Sequence, residues 1–205
     1  TALRAQEKDL ERRFEHLAIP DVQAACDVLR PLFERSHGDA GYVSFEVSPR
    51  LSRDADATLA AARRLWLEIG RPNAMLKIPA TDECLPAITQ AIAEGIHINV
   101  TLIFSRIQAS RVFEACAEGL ARRLAQGHGV SSVRAVASVF VSRLDTHVDA
   151  GLPDGHPLRG ELGLANAKAI YAMWLDRFGG SSFAGLRAAG AHAPKCLWAS
   201  TGVKN

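Results

Sequence analysis

The chain has 205 residues, 48% of them hydrophobic and 22% charged, with a formal net charge of +2. That balance excludes a disordered polyelectrolyte and fits one globular domain over 1–205. With 24 Lys and Arg against 22 Asp and Glu and no basic block, nothing points to a nucleic-acid partner; no apolar run approaches the ~18 residues of a membrane span.

The chain opens with two expected helices, 2–17 and 20–36, divided at Pro20-Asp21 and closed near Gly38. YVSFEV at 42–47, rich in aromatic and β-branched residues, reads as a strand. An amphipathic helix over 54–69 follows, with Leu59, Ala62, Leu65 (or Trp66) and Ile69 on one side and Gly70 as its stop. A strand at 74–79, a helix at 82–94 closed by Gly95, and a strand at 97–104 come next. Ser105 is the expected N-cap of a long helix that ends at Gly127. The segment 132–144 contains a fourth strand, and 146–160, broken by Pro153 and Pro157, reads as a loop. Helices at 162–178 and 181–188 precede a fifth strand at 195–200.

Strands of near-continuous apolar character alternating with helices predict a parallel sheet covered by helices. No GxGxxG follows the first strand and no GxxxxGKT occurs, so dinucleotide and P-loop readings are disfavoured. An open parallel sheet and a TIM barrel remain. Cys26, Cys84, Cys116 and Cys196 are scattered without a CxxC pair and read as reduced thiols of a cytoplasmic protein. The 7 histidines are equally dispersed, which gives no expectation of a metal site.

Lys77 lies inside the apolar run NAMLKIPAT at 73–81. An ammonium removed from water shifts toward its neutral form, and a neutral amine condenses with a carbonyl to give a Schiff base. The plainer alternative is an edge-strand lysine that deters aggregation. Strand parity gives Lys77 company, because residues two apart share a face. Ser44 and Glu46 oppose Val43, Phe45 and Val47; Met75 and Lys77 oppose Leu76 and Ile78; His97, Asn99 and Thr101 oppose Ile98, Val100 and Leu102. Ser138 comes from the fourth strand with Arg143 just beyond it, and Ser200 closes the fifth. Polar groups gathered at strand ends are what the mouth of a TIM barrel requires. Glu46 is then a general acid–base or simply the ion partner of Lys77. Asn99, Thr101 and Ser138 can hold hydroxyls or water. Arg143, Lys204 and Ser200 can bind a phosphate, unless Arg143 pairs with Asp145 or Asp149 and Lys204 is merely exposed.

In order along the chain, VSFEVSPRL, NAMLKIPAT, INVTLIFS, ASVFVSRLDTHVD and LWASTGVKN resemble the strand-end motifs of transaldolases, most closely the branch with KIPAT and a WASTG-KN ending. The resemblance covers 41–205 and implies a (β/α)8 barrel. It implies that Lys77 is the Schiff-base lysine, Glu46 the acid–base, and Thr101 the threonine that positions a catalytic water. Asn99, Ser138, Arg143, Ser200 and Lys204 are then substrate and phosphate contacts. The implied reaction moves a dihydroxyacetone unit from a ketose phosphate (sedoheptulose 7-phosphate or fructose 6-phosphate) to an aldose phosphate, without metal or organic cofactor, in the non-oxidative pentose phosphate pathway. The family's first two strands, with a catalytic aspartate and a TSNP-type asparagine, have no counterpart ahead of the helices at 1–36, and no eighth strand follows 205. Five expected strands correspond to about strands 3–7 of the eight. The chain therefore reads as an incomplete barrel that exposes two sheet edges, with poor stability or association as the consequence, through a homo-oligomer or barrel segments supplied in trans. The alternatives are a simple Schiff-base sugar-phosphate aldolase and a non-catalytic fragment.

Overall fold

The computed structural model describes residues 9–202. Five strands, β1 (Val43–Glu46), β2 (Ala74–Pro79), β3 (Ile98–Ile103), β4 (Ala135–Phe140) and β5 (Lys195–Ala199), pair in chain order into one sheet, every pair parallel. Among the described residues seven α-helices accompany them: α1 (Leu10–Arg35), α2 (Ala55–Ile69), α3 (Leu85–Ala93), α4 (Arg106–Ala125), α5 (Ser142–Asp149), α6 (Leu162–Gly179) and α7 (Ala184–Ala188). A parallel sheet in strict chain order, with helix in every connection, is the repeating unit of a TIM barrel, here present in part.

The core is one-sided. Phe45, Leu76, Ile78, Ile98, Val100, Ala137 and Val139 alternate onto the outer face and are buried against Ala62, Leu65 and Ile69 of α2, Ile88 and Ile92 of α3, and Val112 and Phe113 of α4. Each such Leu, Ile or Phe contributes about 1.5–3 kcal/mol. α3 is buried along most of its length because α4 comes very close to it. A Cβ on Gly119 would stand 2.6 Å from the Thr89 carbonyl oxygen, so only glycine permits that approach. Gly41 plays the same part where the chain leaves α1: its φ is +82°, and a Cβ there would stand 2.6 Å from the Phe33 backbone nitrogen.

Among the described residues the outer edges of β1 and β5 have no strand partner. The sheet is nevertheless strongly curved. Lys195, at the start of β5, reaches Asp39, just before β1, with Nζ 2.7 Å from Oδ1 and 2.6 Å from the carbonyl oxygen to which it donates.

Three expectations need correction. Over the described residues the two opening helices are one, since α1 runs through Pro20 and Pro31; the stretch 2–8 of the first expected helix lies outside them. Both prolines are exposed, as are His16 and Asp27, whose carbonyls lose the i→i−4 bond, so the gaps in the ladder lie on the solvent side of the helix. The inward stripe Glu15, Ile19, Val22, Cys26 passes through Pro20 with unbroken helical spacing. Secondly, 142–149, divided in the sequence reading between a strand end and a loop, is the helix α5. Thirdly, Leu102 does not continue the row of Ile98 and Val100. It has φ +60°, the β3–β4 register shifts between Val100 and Ile103, and Ile103 takes the core position beside Val139. This is a β-bulge next to the polar mouth of the sheet.

Candidate active site

Glu46, Lys77 and Asn99 are neighbours in register on β1, β2 and β3. Lys77 Nζ donates to Glu46 Oε2 at 2.8 Å. The lysine is not on an edge, since β2 is paired on both sides, so the aggregation-guard reading fails. Nor is it sealed in apolar surroundings: its side chain is 28% exposed and that of Glu46 45%, and the ammonium faces the open concavity through its ion pair. The apolar residues around it in sequence, Leu76 and Ile78, point the other way into the core.

Beside this pair runs a hydrogen-bonded chain. Ser138 Oγ donates to Asn99 Oδ1 at 2.7 Å, and Asn99 Nδ2 donates to Ser44 Oγ at 3.0 Å. Asn99 and Ser138 are 7% and 2% exposed, so both are held firmly. Ser44 shares the face of Glu46, and parity alone placed it there, but sequence reasoning gave it no role. Thr101 lies opposite Pro79, on the inner face one step above Asn99. It is fully buried, and its hydroxyl makes no hydrogen bond. Leaving such a hydroxyl unpaired costs about 1–3 kcal/mol.

At the far side of the mouth, Phe140 shares the inner face with Ser138, and the Arg143 guanidinium lies 4.8 Å from its ring centroid. Arg143 is exposed, and among the described residues it forms no ion pair. The alternative salt bridges are not made: Asp145 and Asp149 accept instead from backbone N–H groups, those of Gly163 at 2.6 Å and Gly160 at 2.9 Å. Ser200 follows β5 with φ +53°; its carbonyl accepts from Ser142 N at 2.8 Å, and the two hydroxyls are 3.2 Å apart. Ser142, at the start of α5, was missed because 142 was read as the end of a strand. The parity argument also fails on β5: Ser138 pairs with Leu197, so Lys195, Leu197 and Ala199 face inward, while Trp198 packs edge-on against Tyr171 of α6. Lys204 lies outside the described residues.

His97 belongs elsewhere. It sits at the opposite, N-terminal end of β3, packed edge-on against Tyr42 and Trp66. Arg134 N–H donates to its Nδ1 and its Nε2 lies 3.2 Å from the Pro72 carbonyl, so Nε2 carries the proton. Burial lowers its pKa to about 4 and keeps the ring neutral. Among the described residues no His, Cys, Asp or Glu cluster could hold a metal ion, and no helix is long and apolar enough to cross a membrane. All four cysteines are free thiols, and burial pushes Cys116 up to about 12 and Cys196 to about 11.

The arrangement is an amine, a carboxylate, a clamped amide with two hydroxyls, and a cation with no ion pair among the described residues, at the C-terminal end of a parallel sheet, where barrel enzymes carry their chemistry. The chain as a whole is similar in sequence to known proteins. The chain is 49% identical to a transaldolase of Thiobacillus denitrificans over 208 residues, covering 99% of this chain and 58% of that protein. Transaldolases of Neisseria meningitidis serogroup C and Mycolicibacterium smegmatis are 47% and 46% identical, over 100% and 99% of this chain and 58% and 56% of theirs. The chain thus spans a little under three fifths of the length of these curated relatives. Residues 1–205 match the family described as Transaldolase/Fructose-6-phosphate aldolase, and the chain belongs to that family.

Proposed function

We propose that the chain carries the Schiff-base centre of a transaldolase. The 2.8 Å contact between Lys77 Nζ and Glu46 Oε2, on adjacent strands at the sheet mouth, is the observation that supports it best. The ammonium hands a proton to Glu46, and the freed amine attacks the C2 carbonyl of a ketose phosphate such as fructose 6-phosphate or sedoheptulose 7-phosphate. Glu46 returns the proton to the carbinolamine oxygen, which leaves as water, and an iminium remains. Glu46, a carboxylate again, takes the proton of the C4 hydroxyl as the C3–C4 bond breaks; its electrons pass to the iminium, an aldose phosphate departs, and a three-carbon enamine stays on Lys77. A second aldose phosphate accepts that carbon, and hydrolysis frees the lysine. The unpartnered Thr101 hydroxyl suits a water in proton transfer, and Asn99 and Ser138 suit the hydroxyls of the three-carbon unit. Arg143 with Ser200 suits the phosphate, joined by Lys204 in this reading.

The reaction belongs with the non-oxidative pentose phosphate pathway and needs no metal or organic cofactor. Free thiols suit a reducing compartment, so the cytoplasm is the inferred location. The unpaired edges of β1 and β5 favour completion of the sheet, by a second copy or by barrel segments in trans. The family description also covers fructose-6-phosphate aldolases, which makes cleavage without an acceptor the second reading.

Borohydride reduction in the presence of fructose 6-phosphate tests the centre. We expect a reduced three-carbon or ketose adduct on the peptide bearing Lys77, absent from Lys77→Met. A folded chain that gives no adduct overturns the reading in favour of a non-catalytic fragment. Consumption of an added aldose phosphate then separates transfer from simple cleavage.

A further inference from the structure

We infer that Ser44 is a positioning residue that fixes the amide of Asn99 beside Lys77; its consequence for turnover rests on the Schiff-base reading above. Ser44 is on β1 and Asn99 on β3, with β2 between them. Two strand spacings amount to about 10 Å in a flat sheet. Their side chains meet at 3.0 Å, so they lean together across the concave face above Met75, the register partner of Ser44, which is 1% exposed.

The asparagine is thereby held at both ends. Ser138 donates to Oδ1 at 2.7 Å and Ser44 accepts from Nδ2 at 3.0 Å, so the amide can neither rotate nor exchange its two ends without breaking a bond. An amide has two N–H donors and two lone pairs on its oxygen. With one of each committed, one N–H and one lone pair remain, in fixed directions, next to the register position of Lys77. The two anchors are unequal. Ser138 is 2% exposed and packed in place, whereas Ser44 is exposed on the open face. Ser44 is therefore the anchor whose loss frees the amide without disturbing the core.

The test has two readouts. In the ligand-free chain, the Asn99 side-chain amide protons should exchange slowly, and Ser44→Ala should speed that exchange at least about tenfold, while Ser44→Thr, which keeps the hydroxyl, restores it. With fructose 6-phosphate and borohydride, Ser44→Ala should raise the half-saturating ketose concentration about five- to tenfold, the worth of one hydrogen bond, with the maximal trapping rate changed less than about twofold. In an Asn99→Ala background, Ser44→Ala should add nothing, since the serine acts through the amide. Unchanged Asn99 exchange in Ser44→Ala, or effects that add in the double variant, overturn the inference. If the wild-type chain traps no ketose while Asn99 exchange still answers to Ser44, the Schiff-base reading falls and the positioning of the amide stands. Ser44→Cys, similar in size with a weaker acceptor, should fall between Ser and Ala; equality with Ser would also overturn it.

Discussion

His97 and Thr101 mark opposite ends of β3, and their surroundings differ in kind. At the floor, both ring nitrogens of His97 are engaged, Asn73 Nδ2 donates to the carbonyls of Cys26 and Gly41 at 2.8 and 2.9 Å, and Lys195 is held by Asp39. Asn73 Oδ1 and Arg134 Nε lack partners there, but the amine on that level, Lys195, is tied to both the carboxylate and the carbonyl of Asp39. At the mouth, the Thr101 hydroxyl is unspent, Asn99 keeps half its capacity, and Arg143 has a ring beneath it and no counter-ion among the described residues. Both ends are polar. Polarity therefore does not mark the site; uncommitted hydrogen-bonding capacity beside an amine does.

If the ends divide labour in this way, perturbing the floor should move stability and perturbing the mouth should move chemistry. The largest effect should come from His97. The unfolded chain takes up a proton near the ordinary histidine value of 6.5, whereas the folded chain resists until about 4. The contribution is thus fully present above pH 6.5 and is lost as pH falls toward 4, by about 3 kcal/mol for a shift of that size. Urea midpoints across that range, compared with His97→Gln, which keeps one donor and one acceptor, should show a distinctly steeper slope in the wild type, the remainder belonging to groups such as His192. Glu46→Gln should slow adduct formation on Lys77 about a hundredfold, the lower range for a general acid–base, with the urea midpoint little changed. A loss of stability as large as the loss of rate would mean that the carboxylate is a structural ion partner. Arg143→Ala should weaken fructose 6-phosphate about tenfold and leave unphosphorylated fructose unaffected, as competition in the trapping assay would show. The smallest effect belongs to Lys195→Ala. Its pair with Asp39 is more than half exposed on both sides, so the cost should be under about 1 kcal/mol by urea unfolding. A larger cost would show that this contact sets the curvature of the sheet.

Much of this was legible in the sequence. β2 occupies 74–79 as expected, because Pro72-Asn73 and Pro79 punctuate a run apolar enough to be buried on both faces. α4 begins at its Ser105 cap, where the reciprocal bond with Gln108 forms. Period-two alternation placed Glu46, Lys77, Asn99 and Ser138 on one face. It failed where the backbone departs from strand geometry, at Leu102 and Ser200, both with positive φ, since a pattern of side chains carries no record of a bulge. The helix break expected at Pro20 failed for another reason. A proline's effect depends on which side of the helix it faces, and that is settled by packing against β1 and α2. Ser44 had the right parity, but its role depends on curvature, which brings non-adjacent strands together and is invisible in a linear pattern.

The bulge at Leu102 works like a change of reading frame within β3. Below it the even-numbered residues, Ile98 and Val100, serve the core; above it an odd-numbered one, Ile103, does. Straightening this stretch with all its residues kept would turn Leu102 into the core and address Ile103, with every residue further along the strand, to the opposite face. The spacing between Asn99 and Ser105 is thus as much a part of the site as the residues themselves, and a graft of this centre onto another scaffold must carry the bulge with it.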